Sequence, residues 1–206
     1  MNRLLGTPAA KVLVFLLACL PFFWLLSRAL TDQLGPNPAE ALVRSSGDWT
    51  LRFLCVVLAV TPVRVAWGLS ALARFRRMLG LWVFFYACLH FLAYAWLDQS
   101  LEFSDIARDI AKRPFILVGF VSWVLLVLLA ATSWNGAVRW LGALRWRRLH
   151  RAVYGIAGLA ILHFFWMRAA KNNLGEVALY ALVLVFLLAW RVRRAWHTRA
   201  RSPDAG

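Results

Sequence analysis

LHRAVYGIAGLAILHFFW, residues 149–166, is an apolar run as long as a membrane helix, yet it contains two histidines, His150 and His163. Ionisable side chains are costly in the hydrocarbon of a bilayer, so their presence in a span indicates a functional site by default. The stretch therefore predicts a membrane helix with a chemical task as well as a structural one.

The composition agrees with a membrane location. Of the 206 residues, 62% are hydrophobic and 12 are tryptophan, whereas apolar residues make up about 45–50% of soluble domains. A chain of this length can form one compact bundle but has no room for a second soluble domain. We therefore predict a single integral membrane domain over residues 1–206, with any soluble catalytic module on another chain.

Six apolar runs are close to the length of about 20 residues that an α-helix needs to cross about 30 Å of hydrocarbon. Lipid offers no partner for free backbone groups, so the spans must be helices. The sequence predicts an all-α membrane protein, a six-transmembrane-helix bundle. Its spans are 11–30, 51–69, 79–97, 114–132, 150–167 and 176–191, followed by a basic cytoplasmic tail at 192–206.

The distribution of charge predicts the orientation. Cations concentrate on the cytoplasmic side of membrane proteins, and here they follow spans 2, 4 and 6, which places both termini in the cytoplasm. The basic clusters are Arg74, Arg76, Arg77, Arg139, Arg145, Arg147, Arg148, Arg151, Arg191, Arg193, Arg194, Arg199 and Arg201. The acidic residues of the outward loops are Asp32, Glu40, Asp48, Asp98, Glu102, Asp105 and Asp109.

Several function classes are excluded or disfavoured. The net charge of +15 could indicate nucleic-acid binding, but the arginines border apolar spans, so topology and anionic lipid head groups explain them and no nucleic-acid partner is expected. The three cysteines lack a paired metal spacing, and neither a CxxCH motif nor a glycine-rich phosphate loop is present.

His90 and His163 are predicted to lie at matched depth. Both spans run outward, and each histidine precedes the outer end of its span by a few residues, or about 10 Å of rise or less. Two such imidazoles can hold a metal or a porphyrin. A lone ion needs three or four protein ligands, whereas haem needs only two axial groups and suits the aromatic residues nearby, so haem fits better. The alternative is a pair of neutral histidines that hydrogen-bond across helices.

His150 lies at the inner end of span 5, and its partner is less clear. Fourteen residues before His90, a near-whole number of helical turns, the chain has Arg76 rather than a second histidine. Arginine is an unusual iron ligand, so Arg76 could ligate weakly or pair with a haem propionate or a flavin phosphate. On an ideal helix His150 and His163 lie more than about 90° apart, which leaves a helix bend or two separate sites open.

Three stretches resemble the MsrQ family, formerly YedZ, within the ferric-reductase-like transmembrane superfamily. They are TPVRVAWGLSALARFRRMLGLWVFFYACLHFLAYAWLD (61–98), KRPFILVGFVSWVLLVLLAATS (112–133) and LGALRWRRLHRAVYGIAGLAILHFFW (141–166). The similarity extends from about residue 49 to 191. Its specific motifs are RRxLGLW followed by LH, and LHxxVYxxAxLAxxH.

The resemblance implies a haem b protein of the bacterial inner membrane that takes electrons from the quinone pool. It implies delivery of those electrons to MsrP, a periplasmic molybdenum-cofactor enzyme that reduces methionine sulfoxide in oxidised proteins, and an association with FMN. The family's haem-ligating histidines fall on His90, His150 and His163, and Arg76 matches the first arginine of RRxLGLW. One haem, or two, would then be held.

Two other functions remain open from the residues alone. One is a stand-alone transmembrane ferric reductase fed by a cytosolic flavoprotein, and the other is a transporter or scaffold with structural histidines. If the chain serves an outer partner, the candidate docking surfaces are the acidic loop 98–109 and the short loop 168–176. Charge on outward loops is more often merely solvated.

Overall fold

The computed structural model describes residues 2–169 and 174–200, and these residues contain helices but no strand. Part of the predicted docking loop 168–176 and the end of the predicted tail lie outside the described residues. The helices are α1 (Asn2–Leu5), α2 (Pro8–Leu30), α3 (Pro38–Ala66), α4 (Arg76–Ala93), α5 (Phe103–Lys112), α6 (Pro114–Ala131), α7 (Asn135–Leu141), α8 (Ala143–Leu149), α9 (Ala152–Ala169) and α10 (Gly175–Ala200), with a 3₁₀ helix at Ser70–Phe75 and a π-helical turn at Tyr94–Asp98.

Six helical stretches within the described ranges are long and apolar enough to cross a membrane. They are Pro8–Leu30, Pro38–Ala66, Ser70–Asp98, Pro114–Ala131, Ala143–Ala169 and Gly175–His197. The predicted all-α class with six candidate membrane helices is therefore confirmed.

Helix α3 begins at Pro38, well before the apolar run that starts at residue 51. The side chain of Asn37 caps it by accepting the backbone N–H of Glu40 at 3.1 Å, and proline is favourable at the first helical position. Arg44 pairs with Glu40 one turn away at 3.2 Å. Local capping and pairing thus extend the helix into a polar segment that the hydropathy pattern assigned to a loop.

The fifth predicted span is interrupted at its start. His150 is the C-cap of α8, its backbone N–H bonds to the carbonyl of Trp146 at 3.0 Å, and α9 begins only at Ala152. His150 and His163 therefore do not share one continuous helix. The helical phase left a helix bend or two separate sites open, and the structure has a helix break at residues 150–151.

The core lies where α3 packs along α4, with α6 along α9 and α10 against α3 and α9. Tyr86 of α4 is fully buried at its centre and stacks on Phe53 at a centroid distance of 5.2 Å. Its hydroxyl donates to the carbonyl of Ala18 at 2.9 Å, one turn before Pro21.

A proline in α3 leaves a backbone carbonyl that a side chain from another helix engages. Pro62 lies inside α3 and has no N–H, so the carbonyl of Leu58 has no donor within its own helix. Nη2 of Arg191, from α10, donates to that carbonyl, and Nη1 of the same residue donates to Leu187 at 3.0 Å. A basic side chain thus joins α10 to α3.

The bundle has two chemically different ends. At the first, which we call the basic end, Asn2 donates to the carbonyl of Gly68 at 3.0 Å and Arg77 to Asn135 at 2.6 Å. At the second, the acidic end, Arg168 lies between Asp48 and Glu176. The division follows the two sets of charged loops identified in the sequence.

Candidate functional site

A cavity of about 460 Å³ opens between α3, α4, α6 and α9 near the acidic end. Its deeper wall is apolar, and a polar rim surrounds its outer part. The deeper residues include Leu51, Leu54, Val83, Ala87, Leu126, Ile156 and Ala160, and the rim includes Asn37, Glu40, Arg44, Asp48, Tyr94, Asp98, Arg113 and Arg168. An apolar pocket of this size with a few convergent polar groups is typical of cofactor sites.

His90 of α4 lines this cavity and is held by α3. Its Nδ1 lies 2.8 Å from the carbonyl oxygen of Val43. A carbonyl can only accept, so Nδ1 carries the proton and donates. The ring also lies against Gly47, where an added Cβ would come within 3.1 Å of ring atoms Nδ1 and Cε1.

His163 of α9 is held by α6 in the same manner. Its Nδ1 donates to the carbonyl of Phe115 at 2.7 Å. An added Cβ at Gly119 would come within 2.9 Å of ring atoms Nδ1 and Cε1. Each histidine is therefore fixed as the Nδ1-protonated tautomer, which leaves a lone pair on Nε2.

The two rings face one cavity with their centroids 6.1 Å apart and their planes inclined by 79°. No hydrogen bond from the described part of the chain engages either Nε2. A metal bound by both Nε2 atoms at about 2 Å each would separate the centroids by about 6 Å. The structure thus brings His90 and His163 together across one cavity.

The donor set suits a metal that brings its own equatorial ligands. Among the described residues, no group of three or more His, Cys, Asp or Glu side chains is placed to hold an ion. Two imidazoles in an apolar cavity fit a porphyrin, which needs only axial ligands from the protein. Phe91 and Phe164 add aromatic surface to the wall, as expected around a flat apolar group.

The rim contains three arginines that could meet the carboxylates of such a group. Arg168 is 7% exposed, lies 2.7 Å from a carboxylate oxygen of Glu176 and 3.9 Å from one of Asp48, and sits over the ring of Phe164. Arg113 pairs with Asp109 at 2.8 Å. Buried or paired arginines of this kind hold a polar rim in place and provide donors for anionic groups.

His150 lies at the basic end in a different environment. Its Nε2 is 3.1 Å from Oγ1 of Thr132, and its ring stacks on Trp146 at a centroid distance of 3.9 Å. Nε1 of Trp146 donates to the carbonyl of Thr132 at 2.8 Å. The same nitrogen that is open in His90 and His163 is thus engaged in His150.

Arg76 is exposed at the start of α4, within electrostatic range of His150 and of Arg191. Arg77 points to Asn135 and lies over the Trp146 ring at 5.9 Å. The structure therefore groups His150 with Arg76 at one end of the bundle, and it shows no direct contact between the two side chains.

Sequence reasoning did not find the backbone carbonyls of Val43 and Phe115 or the glycines that follow each by four residues. The only available signal was the four-residue spacing to Gly47 and Gly119, which has no meaning until the facing histidines are known. Two further glycines, Gly155 and Gly158, lie in α9 between the two histidines. Both are exposed, with nothing within 4 Å of an added Cβ.

Comparison with known proteins now gives the family. The family described as "ferric reductase like transmembrane component" matches residues 46–161. The "protein-methionine-sulfoxide reductase heme-binding subunit MsrQ" of Polaromonas naphthalenivorans (strain CJ2) is 62% identical over 189 residues, which cover 92% of this chain and 86% of the relative. The proteins of the same name from Bordetella pertussis and Herminiimonas arsenicoxydans are 52% and 48% identical; each match covers 93% of this chain, and 93% and 88% of the relative, respectively.

No solved structure gives a significant match to the chain. The sequence relatives extend across nearly the whole chain, and the family match contains the cavity-lining parts of α4 and α6. The chain therefore belongs to the ferric reductase-like transmembrane family and, by its curated relatives, to the MsrQ family.

Proposed function

We propose that this chain is the haem-binding electron-transfer subunit of a protein-methionine-sulfoxide reductase system. The observation that carries the proposal is the His90–His163 pair, with rings 6.1 Å apart across an apolar cavity and both Nε2 atoms without a hydrogen bond from the described residues. The MsrQ relatives are named as heme-binding subunits of such a reductase.

Bound haem b would supply reversible one-electron chemistry at its iron. His90 and His163 would hold it through their Nε2 atoms, and the backbone carbonyls of Val43 and Phe115 would fix their tautomers and raise their basicity. The apolar wall would exclude water, and the arginines of the rim would face the propionates. We assign the sulfoxide chemistry to a partner protein, because the relatives are named heme-binding subunits of the reductase.

The direction of electron flow follows from the charge asymmetry. We place the basic end and both termini in the cytoplasm of a bacterial inner membrane, because cations concentrate on that side. The cavity then lies near the periplasmic face, where a molybdenum-cofactor reductase of the MsrP type would accept electrons. His150 and Arg76 would serve the entry side, with the quinone pool as donor and FMN or a second haem as the intermediate carrier.

The engaged Nε2 of His150 bears on the number of haems. Axial ligation by His150 requires its hydrogen bond with Thr132 to be broken, whereas the outer pair needs no such change. We therefore assign the first haem to His90 and His163.

Fewer acidic residues of loop 98–109 are accessible for docking than its sequence suggested. Asp109 accepts hydrogen bonds from Tyr94 at 2.7 Å and Gln99 at 3.3 Å and pairs with Arg113, so it is occupied inside the protein. Asp105 pairs with its neighbour Arg108 on the surface and remains accessible. Asp98 is also exposed, at the rim of the cavity, so Asp98 and Asp105 are available for docking and Asp109 is not.

The test is to purify the protein in detergent after haem-replete expression, record its visible spectrum and quantify haem and flavin per chain. We expect a low-spin b-type spectrum that is lost in His90→Ala and in His163→Ala but kept in His197→Ala, a control whose histidine is exposed on α10.

Electron delivery is tested by following the oxidation of the reduced haem when an MsrP-type reductase and a sulfoxide substrate are added. A colourless parent protein contradicts the proposal and supports structural histidines, and reduction of ferric iron without the reductase supports the ferric-reductase alternative.

A further inference from the structure

We propose that Gly47 and Gly119 are positioning residues for the haem, each forming with a backbone carbonyl a cradle that fixes one axial histidine. This inference deepens the proposed function and rests on it. The two cradles lie on different helices, α3 and α6, yet they have the same composition: a carbonyl at one position and a glycine four residues later.

The spacing has a physical reason. In an α-helix each Cα–Cβ bond tilts toward the N-terminus, so a side chain covers the surface over the turn that precedes it. A side chain four residues after a carbonyl therefore covers that carbonyl, which already accepts the helical N–H from the same residue. Glycine leaves the oxygen open to a second donor from a neighbouring helix.

The distances show that the two imidazole rings occupy the space left by the glycines. The imidazole of His90 occupies the place of a side chain at position 47, with Nδ1 and Cε1 at 3.1 Å from an ideal Cβ, and His163 does the same at position 119 at 2.9 Å. Both rings then reach their carbonyls at 2.8 and 2.7 Å. A methyl group at either glycine would push the ring away from its acceptor, and more strongly at position 119.

The cradle also determines which nitrogen faces the iron. Since Nδ1 donates to the backbone, Nε2 is the unprotonated nitrogen, and the hydrogen bond increases its basicity as a ligand. A basic ligand stabilises ferric iron and keeps the midpoint potential low. Loss of a cradle should therefore weaken one axial bond and shift the potential to more positive values.

Two other glycines provide matched controls. Gly80 lies in α4, the helix of His90, and Gly158 lies in α9, the helix of His163, and an added Cβ meets nothing within 4 Å at either. Alanine has a higher helix propensity than glycine in a helix interior, so glycine to alanine favours the helix. A loss of haem ligation in the cradle variants therefore cannot be caused by a weaker helix, because alanine favours the helix.

The experiment compares Gly119→Ala and Gly47→Ala with Gly80→Ala and Gly158→Ala in the haem-loaded parent chain. The readouts are the spin state, binding of carbon monoxide to the reduced haem, and the midpoint potential. A six-coordinate bis-histidine haem does not bind carbon monoxide, whereas a displaced histidine leaves a site for it. We expect binding to most of the haem in Gly119→Ala, to a smaller fraction in Gly47→Ala, and to none in the two controls.

The alternative results separate the two proposals. A parent that binds no haem overturns the proposed function and this inference with it. A haem-loaded parent whose two cradle variants keep the low-spin spectrum, the potential and the lack of carbon monoxide binding overturns only the cradles. If Gly119→Ala does not accumulate, Gly47→Ala decides the result, because its contact is looser by 0.2 Å, the difference between 3.1 and 2.9 Å.

Discussion

The imidazole planes of His90 and His163 are inclined by 79° and their centroids lie 6.1 Å apart. Each ring is held in its orientation by a backbone acceptor on a different helix, so the angle between them is set by the packing of α3 and α6 around α4 and α9. The protein thus determines both the separation and the mutual orientation of the two candidate ligands.

This angle predicts a spectroscopic signature. Near-perpendicular axial imidazoles leave two iron d orbitals almost equal in energy, which makes the electronic g tensor of low-spin ferric haem strongly anisotropic. We expect an electron paramagnetic resonance spectrum dominated by one large g value in the oxidised protein. A rhombic spectrum of the kind given by parallel imidazole planes would show that the rings rotate when haem binds.

Asp109 and Asp105 are predicted to differ in their effect on stability. Asp109 links α5 to the π-helical turn and to α6 through Tyr94, Gln99 and Arg113, and removing an acceptor shared by several donors costs about 1–3 kcal/mol. Asp105 makes one exposed pair with Arg108, worth at most about 1 kcal/mol. Thermal unfolding in detergent should show a clear loss for Asp109→Ala and almost none for Asp105→Ala.

The same two variants test docking. Asp105→Ala should slow electron delivery to an MsrP-type partner while haem content and stability stay at the parent level. An unchanged rate in Asp105→Ala removes this residue from the docking surface. A slower rate in Asp109→Ala alone is explained by the altered fold of this end and does not support docking.

The positions of His90 and His163 within their apolar runs indicated from the sequence that the two rings could meet, and the structure brings them together. The partners of these histidines were not readable. Val43 and Gly47 lie in the polar first half of α3, where Glu40, Arg44 and Asp48 conceal the helix from a hydropathy pattern. Glu40 and Arg44 pair with each other at i,i+4, and Asp48 lies near Arg168, which are features of local and tertiary structure.

The surroundings of His150 also could not be predicted from the sequence. Apolar composition runs through residues 149–166 without interruption, whereas the chain breaks its helix between Leu149 and Ala152. The break places His150 against Trp146 and Thr132 rather than on the face of α9. Apolar composition indicates that a segment lies in the membrane, but it does not indicate where a helix ends within that segment.

Thr132→Val is predicted to release Nε2 of His150. The substitution removes the hydroxyl at 3.1 Å and keeps a side chain of similar shape. If a second haem binds at the basic end, its content per chain should rise in this variant, and His150→Ala should lower it without changing the outer haem. Haem stoichiometry that equals one in the parent and in both variants would show that His150 does not ligate iron.

Arg168→Ala is predicted to destabilise the acidic end. The Arg168 side chain is 8% exposed and that of Asp48 is 23% exposed, while Glu176 is half exposed. Removing the cation leaves a partly buried carboxylate without compensation, and breaking a fully buried pair costs about 3–5 kcal/mol. Because Glu176 remains solvated, we expect about 2–3 kcal/mol, measured as a lower unfolding temperature, and a smaller loss for Glu176→Gln. Equal losses in the two variants would place the energy in the exposed pair instead.

Arg191 and Pro62 are predicted to be energetically coupled. Pro62 leaves the carbonyl of Leu58 without a helical donor, and Nη2 of Arg191 donates to it from α10. Arg191→Met keeps much of the side-chain length but removes the donor, so it should cost about 1–2 kcal/mol when Pro62 is present. Pro62→Ala restores an N–H at position 62 for this carbonyl, so Arg191→Met should cost less in that background.

A double-mutant cycle measures this coupling directly, because the packing of Arg191 against Tyr154 and its bond to Leu187 are lost in both arms. We expect the loss of unfolding free energy caused by Arg191→Met to shrink by about 1 kcal/mol when Pro62 is replaced by alanine. Arg194→Met, on an exposed position of the same helix, is the control and should cost the same in both backgrounds. If the loss caused by Arg191→Met is also independent of residue 62, the carbonyl of Leu58 does not depend on Arg191 and the contribution of the arginine lies in its other contacts.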